Sequence, residues 1–109
     1  MARRRYLISY DISDPKRLRA TFNLMKGYGK WLQYSVFVCD LSKAELAMWE
    51  RDIRDVIALA CDSVVVIDLG APQDADIRML GVPRRLPDEG FQFRRRRGIS
   101  RNAERLREK

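Results

Sequence analysis

The stretch YLISYDISDP at residues 6–15 limits the possible folds of this chain more than any other segment. Tyr6, Ile8, Tyr10 and Ile12 alternate with Leu7, Ser9 and Asp11, the period-two pattern of a strand with two unlike faces. Asp14 and Pro15 then make a helix start, because the Asp side chain can accept from free backbone N–H groups and proline suits the first turn. A strand must therefore run almost directly into a helix. That helix is expected to reach about Tyr28. At ~100° per residue, Leu18, Thr21, Phe22, Met25 and Tyr28 gather on one side, and Lys16, Arg19, Asn23 and Lys26 on the other. Gly27 and Gly29 are expected to end it as residues able to turn left-handed.

Residues 31–41 are rich in β-branched and aromatic side chains and read as a hairpin: WLQ, a turn near Tyr34 and Ser35, then VFVCDL. Ser42 with Glu45 forms a capping box. Behind it, Leu46, Trp49, Ile53, Val56, Ile57 and Ala60 make a helical stripe. SVVVIDL at 63–69 is the next strand, and after a loop with Pro72, IRMLGV at 77–82 can form one more before Pro83. This order, β-α-β-β-α-β with an additional C-terminal strand, specifies an α+β, ferredoxin-like domain over residues 1–83, with an antiparallel sheet carrying both helices on one face. The other face should be polar if it meets water. Yet Val36, Phe37, Val38 and Cys39, and again residues 64–67, are apolar throughout. Either a second copy covers them, giving a two-fold homodimer, or residues beyond Val82 fold back over the sheet.

Charge is unevenly spread. Residues 1–83 hold 12 basic and 11 acidic side chains, whereas residues 84–109 hold 10 and 4, so most of the net charge of +7 lies in a basic, partly flexible tail. Affinity for a polyanion would concentrate there. With 46% hydrophobic and 34% charged residues, the chain has the composition of a globular domain rather than a disordered one. No histidine is present and Cys39 and Cys61 are the only cysteines. Zinc sites, Cys/His pairs and Ser/His/Asp triads are thereby excluded within one chain, and the thiols read as small buried side chains. The arginines at 3–5 lead into a short strand and not a long apolar segment. The expectation is a cytoplasmic protein with neither a membrane span nor a secretory signal.

Four constellations could carry chemistry. Asp11, at the end of a strand that holds its backbone, suits a hard cation such as Mg²⁺. A two-carboxylate site would need Asp11 from each subunit of a dimer; alternatively Asp11 only caps the turn through its side chain. The basic side of the first helix, with Lys30 just beyond it, has no acidic neighbour within residues 15–39. It suits a phosphate backbone or is a solvated helix face. KGYGKW at 26–31 begins like an RNA-stacking motif, but Lys30 stands where an aromatic is required and the glycines end a helix, so it reads as a chance match. Phe91 and Phe93 beside Arg94, Arg95, Arg96 and Arg97 suit bases and phosphates, any other polyanion, or docking to a protein.

Taken together, YLISYDISD, KRLR at 16–19, the glycines after the first helix, LQYSVF at 32–37 and SVVVIDL resemble the CRISPR-associated protein 2 family over about residues 5–82. The resemblance implies a ferredoxin-like homodimer of prokaryotic antiviral defence that joins the CRISPR-associated protein 1 integrase to capture spacer DNA. Members are also described as Mg²⁺-dependent endonucleases acting on RNA or DNA, so the partners implied include duplex DNA and single-stranded RNA. It places the metal and catalytic role on Asp11, and further site roles on Tyr10, Arg17, Arg19, Ser35 and Phe37. A non-catalytic DNA-binding adaptor and a ribonuclease toxin of the same fold are the competing readings. The arginine tail lies outside the match.

Overall fold

The computed structural model describes residues 2–83. Strand β1 (Arg4–Asp11) leads through three residues into helix α1 (Pro15–Lys26). The hairpin β2 (Lys30–Gln33) and β3 (Val36–Leu41) follows, then helix α2 (Lys43–Val56), strand β4 (Ser63–Gly70) and a single 3₁₀ turn at Pro72–Asp74. The sheet order is β2-β3-β1-β4 with every pair antiparallel, the ferredoxin-like arrangement expected.

Local chemistry explains these boundaries. The Asp14 carboxylate accepts from the backbone N–H groups of Lys16 and Arg17, both at 3.0 Å, so two orphan donors at the start of α1 are satisfied. At α2 the capping box is complete: Ser42 Oγ accepts from the Glu45 N–H at 3.1 Å while Glu45 Oε1 accepts from the Ser42 N–H at 2.9 Å. The hairpin turns through Tyr34, which takes a positive φ of 41°.

Tyr6, Ile8 and Tyr10 of β1 and Phe37, Cys39 and Leu41 of β3 bury one sheet face beneath Phe22 and Met25 of α1 and Trp49 and Ile53 of α2. Tyr28 of α1's exit donates to Asp52 of α2 at 2.7 Å and so ties the two helices together. The opposite face can be read from the register. Leu7 pairs with Val38 and Ile67, Ser9 with Val36 and Val65, and Asp11 with Ser63. That face is largely apolar and incompletely covered: Val65 and Ile67 are exposed, and Leu7, Val36 and Val38 only half-buried.

Several expectations need correction. Residues 77–82 form no strand; Ile77, Met79, Leu80 and Val82 are all exposed, Leu80 at 92%, because these side chains meet no packed surface of their own chain. Helix α2 stops at Val56, so the apolar spacing of Ile57 and Ala60 continues past the helix into a loop. That loop leaves Cys61 exposed, and only Cys39 is a buried thiol. Gly27 ends α1 with a right-handed φ of −80°. Gly29 is needed for space: a Cβ there would collide with Cys39 Sγ and lie 2.5 Å from the Val38 carbonyl oxygen. The proposed tail, including Phe91, Phe93, Arg94, Arg95, Arg96 and Arg97, lies outside the described residues.

Candidate catalytic and nucleic-acid-binding site

Asp11 is the last residue of β1, exposed, on the open sheet face. Its backbone is fixed by pairing with Ser63, and the N–H of the preceding Tyr10 donates to the Ser35 carbonyl at 3.0 Å. Its carboxylate has no hydrogen-bond or ion-pair partner among the described residues. It does not cap the turn; Asp14 does that.

The two other carboxylates of this corner are already engaged. Asp14 serves the helix N-terminus. Asp62, with a side chain that is 0% exposed, accepts from Arg17 Nε at 2.8 Å and Nη2 at 3.1 Å, from the Ala58 N–H at 2.8 Å, and from Ser13 N–H and Oγ at 3.0 and 3.1 Å. The Arg17 guanidinium, followed by the backbone donors of Ala58 and Ser13, holds the Asp62 carboxyl well below the usual carboxylate range. Arg17 was expected to face a phosphate. It instead lies on Asp62, whose charge offsets its own. Nothing in local sequence signals this network, since the partners are 45 and 49 residues apart in the chain.

Tyr10 and Phe37, expected at a nucleic-acid surface, are core residues, 4% and 0% exposed. The period-two alternation of β1 and β3 turns both toward the helices, where their rings stack with centroids 6.3 Å apart. They form the floor under the site. Ser35 is half-buried in the hairpin turn, and its backbone carbonyl is what reaches β1. Cys39 makes no nucleophile: burial pushes its thiol up to about 11.

Lys16, Arg19 and Asn23, with Pro15 and Ala20, line a shallow concavity of about 370 Å³ on the outer side of α1. Lys16, Arg19 and Lys30 have no ion-pair partner among the described residues, and Lys26 lies 5.0 Å over the Phe22 ring. Helix α1 thus presents Lys16 and Arg19 free to meet an anion, while Lys30, on β2, already helps to lower the Asp40 carboxyl.

Does the corner fit Mg²⁺? That ion is commonly held by one or two carboxylates and completes its shell with water and substrate oxygens. Asp11 is a hard oxygen donor with its lone pairs unspent. No group of three or more His, Cys, Asp or Glu able to hold a metal occurs among the described residues. One chain therefore offers one ligand, and the donor chemistry fits Mg²⁺ if a second copy brings another.

These features define a class: a ferredoxin-like α+β domain with an unengaged acidic residue at the end of β1 and, on α1, Lys16 and Arg19 without an ion-pair partner among the described residues. Residues 4–77 match the family model for the CRISPR associated protein Cas2, so the chain belongs to that family. It is 42% identical over 72 residues to CRISPR-associated endoribonuclease Cas2 1 of Rhodospirillum rubrum, covering 66% of this chain and 71% of that protein. It is 41% identical over 83 residues to CRISPR-associated endoribonuclease Cas2 2 of Thermodesulfovibrio yellowstonii, covering 76% and 89%. Among solved structures, Streptococcus pyogenes Cas2 superposes with a TM-score of 0.64 at 30% identity, covering 71% of this chain and 99% of that one. A hypothetical protein from Thermus thermophilus superposes with a TM-score of 0.68 at 32% identity, covering 75% and 95%. No helix among the described residues is long and apolar enough to cross a membrane.

Proposed function

We propose that the chain acts as a cytoplasmic, two-fold homodimeric subunit of the CRISPR spacer-acquisition machinery that binds nucleic acid and cleaves a phosphodiester in a Mg²⁺-dependent manner. The observation that carries this is Asp11: an exposed carboxylate with no partner among the described residues, at the end of a strand, in a family whose relatives bear endoribonuclease names. A two-fold dimer that buries the open sheet face would bring one Asp11 carboxylate from each subunit. Mg²⁺ held there would supply charge neutralisation of the scissile phosphate and a more acidic water. The chain's own part is to hold Asp11 rigidly and to seat the backbone phosphates on Lys16, Arg19, Lys26 and Lys30. The arginines at 94–97 add positive charge to the same polyanion.

No histidine is present to act as general base, so cleavage should be slow. This favours a second reading in which the basic dimer serves chiefly as a DNA-binding adaptor for the CRISPR-associated protein 1 integrase. The Asp11→Ala variant separates the two. Under the cleavage reading, Mg²⁺-dependent hydrolysis of single-stranded RNA or duplex DNA falls at least about a hundredfold while binding is retained. Equal activity in parent and variant would remove Asp11 from catalysis and leave the adaptor.

A further inference from the structure

The corner that carries Asp11 contains a second carboxylate with a different task. Only residues 12–14 separate β1 from α1, and the middle one, Ser13, gives both its N–H and its hydroxyl to Asp62. The residue after Asp62 is Ser63, which pairs with Asp11 itself. Asp11 and the residue two beyond it are thus both attached to the consecutive pair Asp62 and Ser63. On the other side, the Tyr10 N–H is held by Ser35. Arg17 closes the arrangement by binding Asp62 through Nε and Nη2 and by donating from Nη2 to Ser13 Oγ at 3.2 Å.

We propose that Asp62 is the positioning residue of the site: with Ser13 and Arg17 it fixes the link on which Asp11 sits, and Arg17 serves that clasp rather than a phosphate. The inference rests on the reading that Asp11 takes part in phosphodiester cleavage. Three physical points carry it. A carboxylate offers about four lone-pair sites, and five donor contacts saturate Asp62, so it cannot double as a metal ligand. Its side chain is fully buried, so loss of the Arg17 charge leaves a buried carboxylate uncompensated. And a one-ångström displacement of a catalytic group can cost roughly a hundredfold in rate, so a tether two residues from Asp11 acts directly on the chemistry.

The test uses the full-length chain in its native assembly, well below its melting temperature, with Asp62→Asn, Arg17→Gln, the double variant and Arg17→Lys. The clasp predicts that each single change lowers kcat about tenfold, with KM and the salt dependence of nucleic-acid binding close to the parent. The double variant should be no worse than the poorer single one, because both remove one unit. Arg17→Lys should fail like Arg17→Gln, since a lysine keeps the charge but cannot make the two-point contact; this variant also decides the matter should Asp62→Asn not fold. The proposal is overturned if Arg17→Gln weakens binding and reduces the log-log salt slope by about one while Asp62→Asn or Arg17→Lys cleaves like the parent.

Amide exchange at Ser13 gives a readout independent of activity. It should accelerate about tenfold or more in Asp62→Ala, which removes the acceptor of the Ser13 N–H, and unchanged protection overturns the clasp. Were Asp11→Ala to cleave as fast as the parent, the cleavage reading would fall by that result alone, and the exchange measurement would still decide whether the clasp exists.

Discussion

Asp11, Asp14 and Asp62 lie within one corner, yet they should respond differently to mutation. Asp14 spends one oxygen, Oδ2, on two backbone donors, Asp62 both of its oxygens on an arginine and the donors of Ala58 and Ser13, and Asp11 neither on any described residue. Asp62 has a folded-state pKa below its unfolded value of roughly 3.9. Its contribution to stability is therefore complete above that unfolded value and is lost as the pH falls toward the folded one. The Arg5 hydrogen bond likewise lowers the Asp40 carboxyl and adds to the same acid limb. Thermal melts from about pH 5 to pH 2 should show a steep loss of Tm in the parent and a shallower one in Asp62→Asn, which starts lower. An equally steep limb in that variant would mean that the clasp contributes nothing to acid stability.

Helix α1 shows two unlike faces of one element serving separable purposes. Thr21, Phe22 and Met25 are buried, while Lys16 and Arg19 stand outward. Reversing the outer charges, Lys16→Glu with Arg19→Glu, should weaken nucleic-acid binding and lower its salt slope by about two, with stability changed by no more than about 0.5 kcal/mol per site. The turn that follows is less tolerant. Gly29→Ala should destabilise the fold by about 1–3 kcal/mol, measured by urea unfolding, because the new methyl meets Cys39 and the Val38 carbonyl. The elements themselves were legible because their signals are local: alternation in β1, the Asp14 and Ser42 caps, the stripe of α2. Where the signal depends on distant residues, reading along the chain failed. Ile57 and Ala60 keep helical spacing beyond the helix end. The residues at 77–82 have strand-like composition but no neighbour to pair with in their own chain. Asp62 is an ordinary acidic residue until folding brings Ser13 and Arg17 to it.

At the scale of the molecule, the open sheet face sets Leu7, Val36, Val38, Val65 and Ile67 around Ser9, a largely apolar surface of the kind that marks an interaction site. If a second copy covers it, Tm must rise with protein concentration, and Leu7→Glu should give a monomer by light scattering with a lower Tm than the parent. A parent that is itself monomeric at micromolar concentration would refute the homodimer. One consequence concerns how this chain can change over generations. In β1, Leu7, Ser9 and Asp11 face outward while Tyr6, Ile8 and Tyr10 face the helices, so Asp11 shares its side with Leu7 only because the two lie four positions apart, an even number. Gain or loss of one residue in between would send the carboxylate into the core or the aliphatic surface away from its contact. The length of the strand is therefore inherited in steps of two.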